Sequence, residues 1–219
     1  MDAIILAGGK SSRMEDPLPK ILVKVRGKEL ISYQIEYLSD KAEKIIISLG
    51  FQAEKIEAFV KEKYPDRDIE FAIEKEPLGT GGGIKLAMNK VNSEKVLVLN
   101  CDDITDMNIK ELEKKEENTV CVAHPRLPFG LVKEEMGYAV FEEKPVLKNE
   151  WVSMGWYVFI KDEIYPLLPD KGSIEYETFP KTKLRIHYHE GFWNTLNSKK
   201  DISDFEELDL PEVIQKLIK

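Results

Sequence analysis

Two stretches of this chain bring together residues that could do chemistry. In the first, LAGGKSSRM (6–14), an apolar run ends at Gly8 and Gly9; Lys10 and Arg13 follow, and Lys20 comes seven residues after Arg13. Paired glycines let a backbone take positive φ and approach a ligand closely. Successive exposed N–H groups can then cradle phosphate oxygens. Arginine adds a planar fork and lysine a compact mobile charge. A flexible, positively charged loop of this kind suits a triphosphate, although an ordinary surface turn with Lys20 as a solvated charge fits the same residues. In the second stretch, VLVLNCDDI (96–104), a strongly apolar run ends in the adjacent carboxylates Asp102 and Asp103. Like charges side by side are unfavourable unless a cation or solvent separates them. At the tip of a strand such a pair reads as a metal site.

Both stretches need a rigid scaffold, and the hydrophobic pattern supplies one. AIILA (3–7), KIIISLG (44–50), IEFAIE (69–74), KVLVLN (95–100) and TVCVAH (119–124) read as strands. Between them ELISYQIEYLSDK, AEKIEAFVKEKY, GGIKLAMNKV and NIKELEKKE carry helical spacing, with Asp106 a candidate cap for the last. Repeated β-α-β units of this type predict a Rossmann-like α/β/α fold of three layers, its central sheet mixed or parallel. Ligands of such sheets bind beyond the carboxyl ends of the strands, where both stretches lie. After about Arg126 the pattern changes. GYAVFEEKP, WVSMGWYVFI and LRIHYH read as strands of a small additional β region set beside the first sheet, and DISDFEELDLPEVIQKLIK reads as helix. A single domain is expected over 1–219, in two halves, 1–125 and 126–219.

The bulk properties narrow the classes of function. A chain of 219 residues with 42% hydrophobic and 33% charged residues can bury a sizeable core. Its net charge of -8 argues against a nucleic-acid footprint. No apolar stretch approaches the roughly 20 residues of a membrane helix, and no signal-peptide pattern opens the sequence. Cys101 and Cys121 have no metal-ligand spacing and sit in apolar runs. A reducing, cytoplasmic setting without a disulfide is the expectation. Oligomeric state is not readable from these features, and a homo-oligomer is left open.

LAGGKSSRM followed by PKIL (19–22) resembles the signature of the nucleotidylyltransferases that make nucleotide sugars, L-A-G/A-G-x-G-T-R-M/L and then Pro-Lys. It is neither the Rossmann G-x-G-x-x-G nor a P-loop. Ser11 stands in place of the third glycine. Four further segments follow in that family's order. EKEPLGTGGGIKLA (74–87) is similar to the turn that contacts base and ribose. NCD (100–102) is similar to N-G-D, with Cys101 for glycine. EEKP (142–145) is similar to E-K-P, with PFGLV (128–132) upstream. TLNSKKD (195–201) resembles the V-N-N turn of the uridylyltransferases rather than D-x-G-T-P-E-D, whose first Asp is replaced by Thr195. Two lesser matches are WVSMGWYVF, with Ser153 for Asn, and SIEYETFP.

The resemblance implies transfer of a nucleotidyl group from a nucleoside triphosphate to a sugar 1-phosphate, by direct displacement that releases pyrophosphate. Arg13, Lys20 and Asp102 would be catalytic. Leu6, Ala7, Gly8, Gly9, Arg13, Glu76, Gly79 and Thr80 would bind the nucleotide, with GTP favoured over other bases. Gly130, Glu143, Lys144, Ser153 and Glu175 would bind the sugar phosphate, and Asp102 and Asn197 would hold magnesium. The resemblance also implies that 1–125 is the nucleotide-binding half and 126–219 the sugar-phosphate-binding half. Such a displacement needs positioning and charge neutralisation rather than a general base. That agrees with a chain of three histidines, none in a triad-like context. Two other readings stay open. One is a metal-dependent glycosyltransferase of the same fold, which has no use for the Arg13–Lys20 loop. The other is a nucleotide-sugar-binding regulatory protein without turnover.

Overall fold

The computed structural model describes residues 1–9 and 18–218. Lys10, Ser11 and Arg13 lie outside the described residues. The first half runs β1 (Asp2–Ala7), β2 (Lys24–Val25), β3 (Lys28–Glu29), α1 (Leu30–Leu38), β4 (Ile45–Leu49), α2 (Ala53–Lys63), β5 (Ile69–Ile73), α3 (Gly79–Met88), β6 (Lys95–Asn100), β7 (Asp103–Thr105), α4 (Ile109–Leu112) and β8 (Thr119–Ala123). The second runs β9 (Leu131–Glu135), β10 (Tyr138–Glu142), β11 (Val152–Ile160), α5 (Lys161–Ile164), α6 (Ile174–Glu177), β12 (Arg185–His189), β13 (Trp193–Thr195), α7 (Lys199–Glu206) and α8 (Glu212–Ile218).

One seven-stranded sheet, in the order β12-β8-β11-β6-β1-β4-β5, forms the centre. β5, β4, β1 and β6 are mutually parallel. β11 runs antiparallel to both β6 and β8, and β12 is parallel to β8. The expectation of a second sheet beside the first is corrected: β11 and β12 complete the same sheet. The reason is visible in β11, where Met154, Trp156, Val158 and Phe159 are all 0% exposed. A strand apolar on both faces has to be covered on both, which places it inside a sheet. Three two-stranded pairs stand apart from it among the described residues, β2–β3, β7–β13 and the β9–β10 hairpin, the last closed by Met136 and Gly137 at φ 52° and 83°. Positive φ at both turn residues matches the right-handed twist of a two-residue hairpin.

Each face of the sheet has its own core. On one, Ile5, Ile47 and Leu99 pack with Ile31, Ile35 and Leu38 of α1 and with Ile56 and Val60 of α2. On the other, Ile4, Ile46 and Val98 pack with Ile84, Ala87 and Met88 of α3 and with Ile164 and Ile174. Alternate residues of one strand thus feed two helical layers, and each fully buried aliphatic side chain contributes roughly 1.5–3 kcal/mol. A smaller cluster docks α7 and α8, through Phe205, Leu210 and Ile214, against Val25 and Tyr33. Among the described residues no helix is long and apolar enough to cross a membrane.

Three local expectations change. The helix placed over GGIKLAMNKV starts earlier, at Gly79, so the glycines form its first turns instead of a turn before it. Their lack of side chains is required there. A Cβ on Gly82 would stand 2.5 Å from the Asp170 carbonyl oxygen, and one on Gly79 would stand 2.6 Å from that of Gly172. The helix over NIKELEKKE shrinks to the single turn α4, where Ile109 and Leu112 are buried. Its N-cap is Asn108 and not Asp106. Asp106 instead accepts from Phe192 N at 2.7 Å and faces His189 Nε2 at 3.0 Å, tying the loop after β12 to the end of β7.

Candidate active site

The chain lays β1, then β4 and β5 to one side of it, and then crosses back to put β6 on the other. The loops leaving β1 and β6 therefore diverge, and a crevice opens at the carboxyl ends of these strands. A cavity of about 540 Å³ occupies it. Its walls carry Leu6, Ala7, Gly8 and Gly9 after β1, Asn100 to Asp102 after β6, and Glu76, Gly79 and Thr80 before and within α3. Every nucleotide-binding residue expected from the sequence lines this one cavity, except Arg13, which is outside the described residues.

Lys20 and Asp102 also line it. Pro19, at φ -53° and ψ 135°, delivers the chain into a short 3-10 turn whose first residue, Lys20, is only 8% exposed. The Lys20 ammonium donates to Asp102 Oδ2 and, at 3.2 Å, to Asn197 Oδ1. Two residues expected to share a cation thus converge on one cationic centre, from segments 95 positions apart. The backbone explains the convergence. β13 pairs antiparallel with β7, setting Thr195 opposite Asp103, and Leu196 N donates to Asp102 O at 2.9 Å. Just beyond, the Asp201 carboxylate accepts from Asn197 N and Ser198 N at 2.9 and 2.8 Å, while Ser198 caps Asp201 N in return. This capping box fixes Asn197 at the start of α7.

Asp103, left without a role by the sequence, points the other way from its neighbour. It is 3% exposed and accepts from Asn100 Nδ2 at 3.0 Å and Trp193 Nε1 at 3.1 Å, with Thr195 opposite it across the β7–β13 pairing. Burial, reinforced by the charge of Asp102, pushes its carboxyl above the usual carboxylate range. Gly155 closes over this network at φ 72°. A Cβ there would stand 2.0 Å from Asn100 Nδ2 and 2.6 Å from Asp103 Oδ2. The irregularity in β11 between Ser153 and Tyr157 makes room for it.

Glu74 is one of the lining residues that sequence reading missed. Its Oε2 accepts from Leu78 N at 3.0 Å, leaving Oε1 beside Gly8 and Gly83. Cβ atoms on those glycines would stand 3.0 and 2.8 Å from that oxygen, so the glycines are what expose it. Glu76, the expected contact, is exposed at the rim and paired with Lys171 at 2.8 Å.

The expected sugar-phosphate residues lie outside the lining of this cavity and do not form one group. Glu143 is exposed, with Oε2 3.2 Å from where a Cβ on Gly130 would be, so those two adjoin. Lys144, at φ 44°, donates to Asp204 Oδ2 at 2.8 Å, and that bond holds its ammonium above the usual lysine range. Ser153 shares a hydrogen bond of 3.1 Å with the Tyr157 hydroxyl. Glu175 is tied to the mouth of the cavity, because Thr80 Oγ1 donates to it at 3.2 Å. Cys101 and Cys121 are buried free thiols, with no disulfide. Burial drives Cys101 well above the usual thiol range and Cys121 up to about 12.

A glycine-lined cavity beside a paired carboxylate and lysine, at the switch point of a mostly parallel sheet, is the layout of an enzyme that moves a phosphorylated group. The chain belongs to the nucleotidyl transferase family, whose model matches residues 2–181. It is 30% identical to the D-glycero-alpha-D-manno-heptose 1-phosphate guanylyltransferase of Campylobacter jejuni, covering 94% of this chain and 98% of that one. It is 32% identical to a mannose-1-phosphate guanyltransferase of Hypocrea jecorina; the match takes in 92% of this chain and 62% of that longer one. The solved structure of Yersinia pseudotuberculosis HddC complexed with GMP-PN superposes with a TM-score of 0.76 at 26% identity, over 94% of this chain and 98% of that chain.

Proposed function

We propose that this nucleotidyl transferase joins the guanylyl group of GTP to a sugar 1-phosphate of the manno series, in a magnesium-dependent reaction in a reducing cytoplasm. The observation that carries the reading is the meeting of Lys20, Asp102 and Asn197 at the cavity. The choice of base rests on Glu74. A carboxylate only accepts, and the guanine edge presents neighbouring N1–H and N2–H donors to Glu74 Oε1. The manno configuration rests on the names of the two relatives above.

The donor set fits a hard divalent cation. Asp102 and Asn197 offer one carboxylate and one carbonyl oxygen, and both already turn toward the same ammonium. Among the described residues no cluster of three or more acidic, His or Cys side chains could hold a metal. A cation taking two protein oxygens and completing its shell with phosphate and water is the habit of magnesium. Bound there, magnesium would neutralise phosphate charge and fix the approach of the two reactants. Gly8, Gly9 and Arg13 would hold the leaving pyrophosphate. Lys20 would turn from Asp102 to the α-phosphate, and Lys144 would leave Asp204 for the incoming sugar phosphate, with Gly130, Glu143, Ser153 and Glu175 around the sugar. A sugar-phosphate oxygen then forms a bond to the α-phosphorus, and the bond to the bridging oxygen breaks, its electron pair leaving with pyrophosphate. The attacking oxygen is already anionic and pyrophosphate leaves as a stable anion, so no side chain has to remove or supply a proton.

The test is a matrix of nucleoside triphosphates against sugar 1-phosphates, read by pyrophosphate release with magnesium. GTP with a manno-configured sugar phosphate is expected to turn over best. Release of a nucleoside diphosphate would favour the glycosyltransferase reading, and tight binding without release would favour the regulatory one.

A further inference from the structure

Reading a carboxamide, Asn197, as the second cation ligand raises a difficulty that the structure answers. A carboxylate presents oxygen whichever way it turns. A carboxamide presents oxygen one way and N–H donors the other, and donors repel a cation. Something has to hold Asn197 with its oxygen toward the cavity.

We propose that Thr195 is a positioning residue that sets the orientation of the Asn197 amide. The inference rests on the reading of Asn197 as a cation ligand. Asn197 Nδ2 donates to Thr195 Oγ1 at 2.9 Å, and Thr195 stands directly opposite the buried Asp103 carboxylate, toward which its hydroxyl proton can turn. A hydroxyl has one proton. Once that proton is given to Asp103, only lone pairs face Asn197, and these accept an N–H but reject a carbonyl oxygen. Asp103 already acts as an acceptor for two donors, Asn100 Nδ2 and Trp193 Nε1. Polarity is therefore handed along the chain Asp103, Thr195, Asn197, and ends with Asn197 Oδ1 pointing outward. At the far end Lys20, which can only donate, meets that oxygen at 3.2 Å, so both ends of the chain agree. The pairing of β13 with β7 puts Thr195 directly opposite Asp103 and makes the relay possible.

The test compares Thr195→Val, Thr195→Ser, Asn197→Asp and the Thr195→Val/Asn197→Asp double variant. The side-chain NH2 signals of Asn197, identified by their loss in Asn197→Asp, are followed by NMR in the metal-free and nucleotide-free protein. They are expected to be protected from exchange in the parent and in Thr195→Ser, and unprotected in Thr195→Val. In pyrophosphate release with GTP and Mg2+, Thr195→Val is expected to lose about 10–100-fold, the scale for removing a hydrogen bond that orients a metal ligand. Thr195→Ser should restore most of that. In the Asn197→Asp background, Thr195→Val should cost less than about 3-fold, because a carboxylate has no wrong orientation. Equal losses in both backgrounds, or protection unchanged by Thr195→Val, would overturn the assignment. If the parent releases no pyrophosphate with any substrate pair, the proposed reaction fails while the NMR comparison still decides the role of Thr195.

Discussion

Lys20 sits at the junction of every argument about single residues. Its ammonium is nearly buried, and both its bonds go to the residues expected to hold a cation. Asp102→Ala removes a proposed cation ligand and also strands that ammonium without its carboxylate. It is expected to lower turnover on the order of 100–1000-fold, the scale of one lost transition-state charge contact, and steady-state pyrophosphate release measures it. A loss under tenfold would move the cation elsewhere. Arg13→Ala is expected to fall in the same range by the same assay. Glu74→Gln exchanges an acceptor for a partial donor at the proposed base contact. Selectivity for GTP over the other triphosphates should drop by about 10–100-fold, and unchanged selectivity would take base recognition away from Glu74. The buried thiols give a check free of catalysis. Cys101 and Cys121 should not react with a thiol reagent at pH 8 in the folded protein, and both should react once it is unfolded. At this scale the sequence was informative where side-chain type and chain proximity coincide, as in Gly8-Gly9, Lys20 and Asp102. It was silent on Glu74, because a glutamate after a strand is commonplace until three-dimensional neighbours, here Gly8 and Gly83, expose it. The Lys144–Asp204 pair was equally invisible, since nothing local announces a partner in another element.

The elements act by bringing backbone so close that only glycine fits. β11 illustrates it. Gly155 combines φ 72° with a network in which Asn100 Nδ2 would lie 2.0 Å from an added Cβ. Left-handed backbone at a non-glycine residue costs of order 1–3 kcal/mol before any clash is counted. Gly155→Ala is therefore expected to lower the thermal midpoint clearly and to reduce activity through Asn100 and Asp103; an unchanged midpoint would show that the bulge gives way freely. At the other side of the site, Ser198→Ala removes a capping box and is expected to cost about 1 kcal/mol in denaturant unfolding. The glycine run of α3 shows why boundaries were harder to read than strands. Each glycine weakens a helix by up to ~1 kcal/mol, so the sequence favours a turn. What overrides that preference is the loop at Pro169 to Gly172, whose backbone could not approach any larger residue. For Asp106 the competing partner was Phe192 N, supplied by a segment 86 residues away.

Over the whole molecule, the parallel half of the sheet was legible because each strand–helix alternation is local and right-handed crossovers leave few arrangements. The position of β11 between β6 and β8 was not, because an antiparallel insertion depends on pairing over long separations. The consequence is that the two halves read from the sequence share one sheet. A fragment of residues 1–125 would leave β6 with its β11 side unpaired and Trp156 and Phe159 missing from the two cores. It is expected to show no cooperative thermal unfolding by circular dichroism, whereas a sharp transition would mean that the first half is a domain in its own right. The shared sheet sets Gly8, Gly9 and Asp102 at one rim, where the β7–β13 pair and the turn at Lys20 bring Asn197 and Lys20 to Asp102, and this is the basis of the proposed chemistry. The most direct measurement supplies GTP labelled either at the α- or at the γ-phosphorus, with mannose 1-phosphate and Mg2+, and follows where the label goes. Transfer in the cavity requires α-label in the sugar-containing product, γ-label in pyrophosphate, and loss of both with Asp102→Ala. Label from the γ-position in inorganic phosphate, or product formed undiminished by Asp102→Ala, would contradict the account.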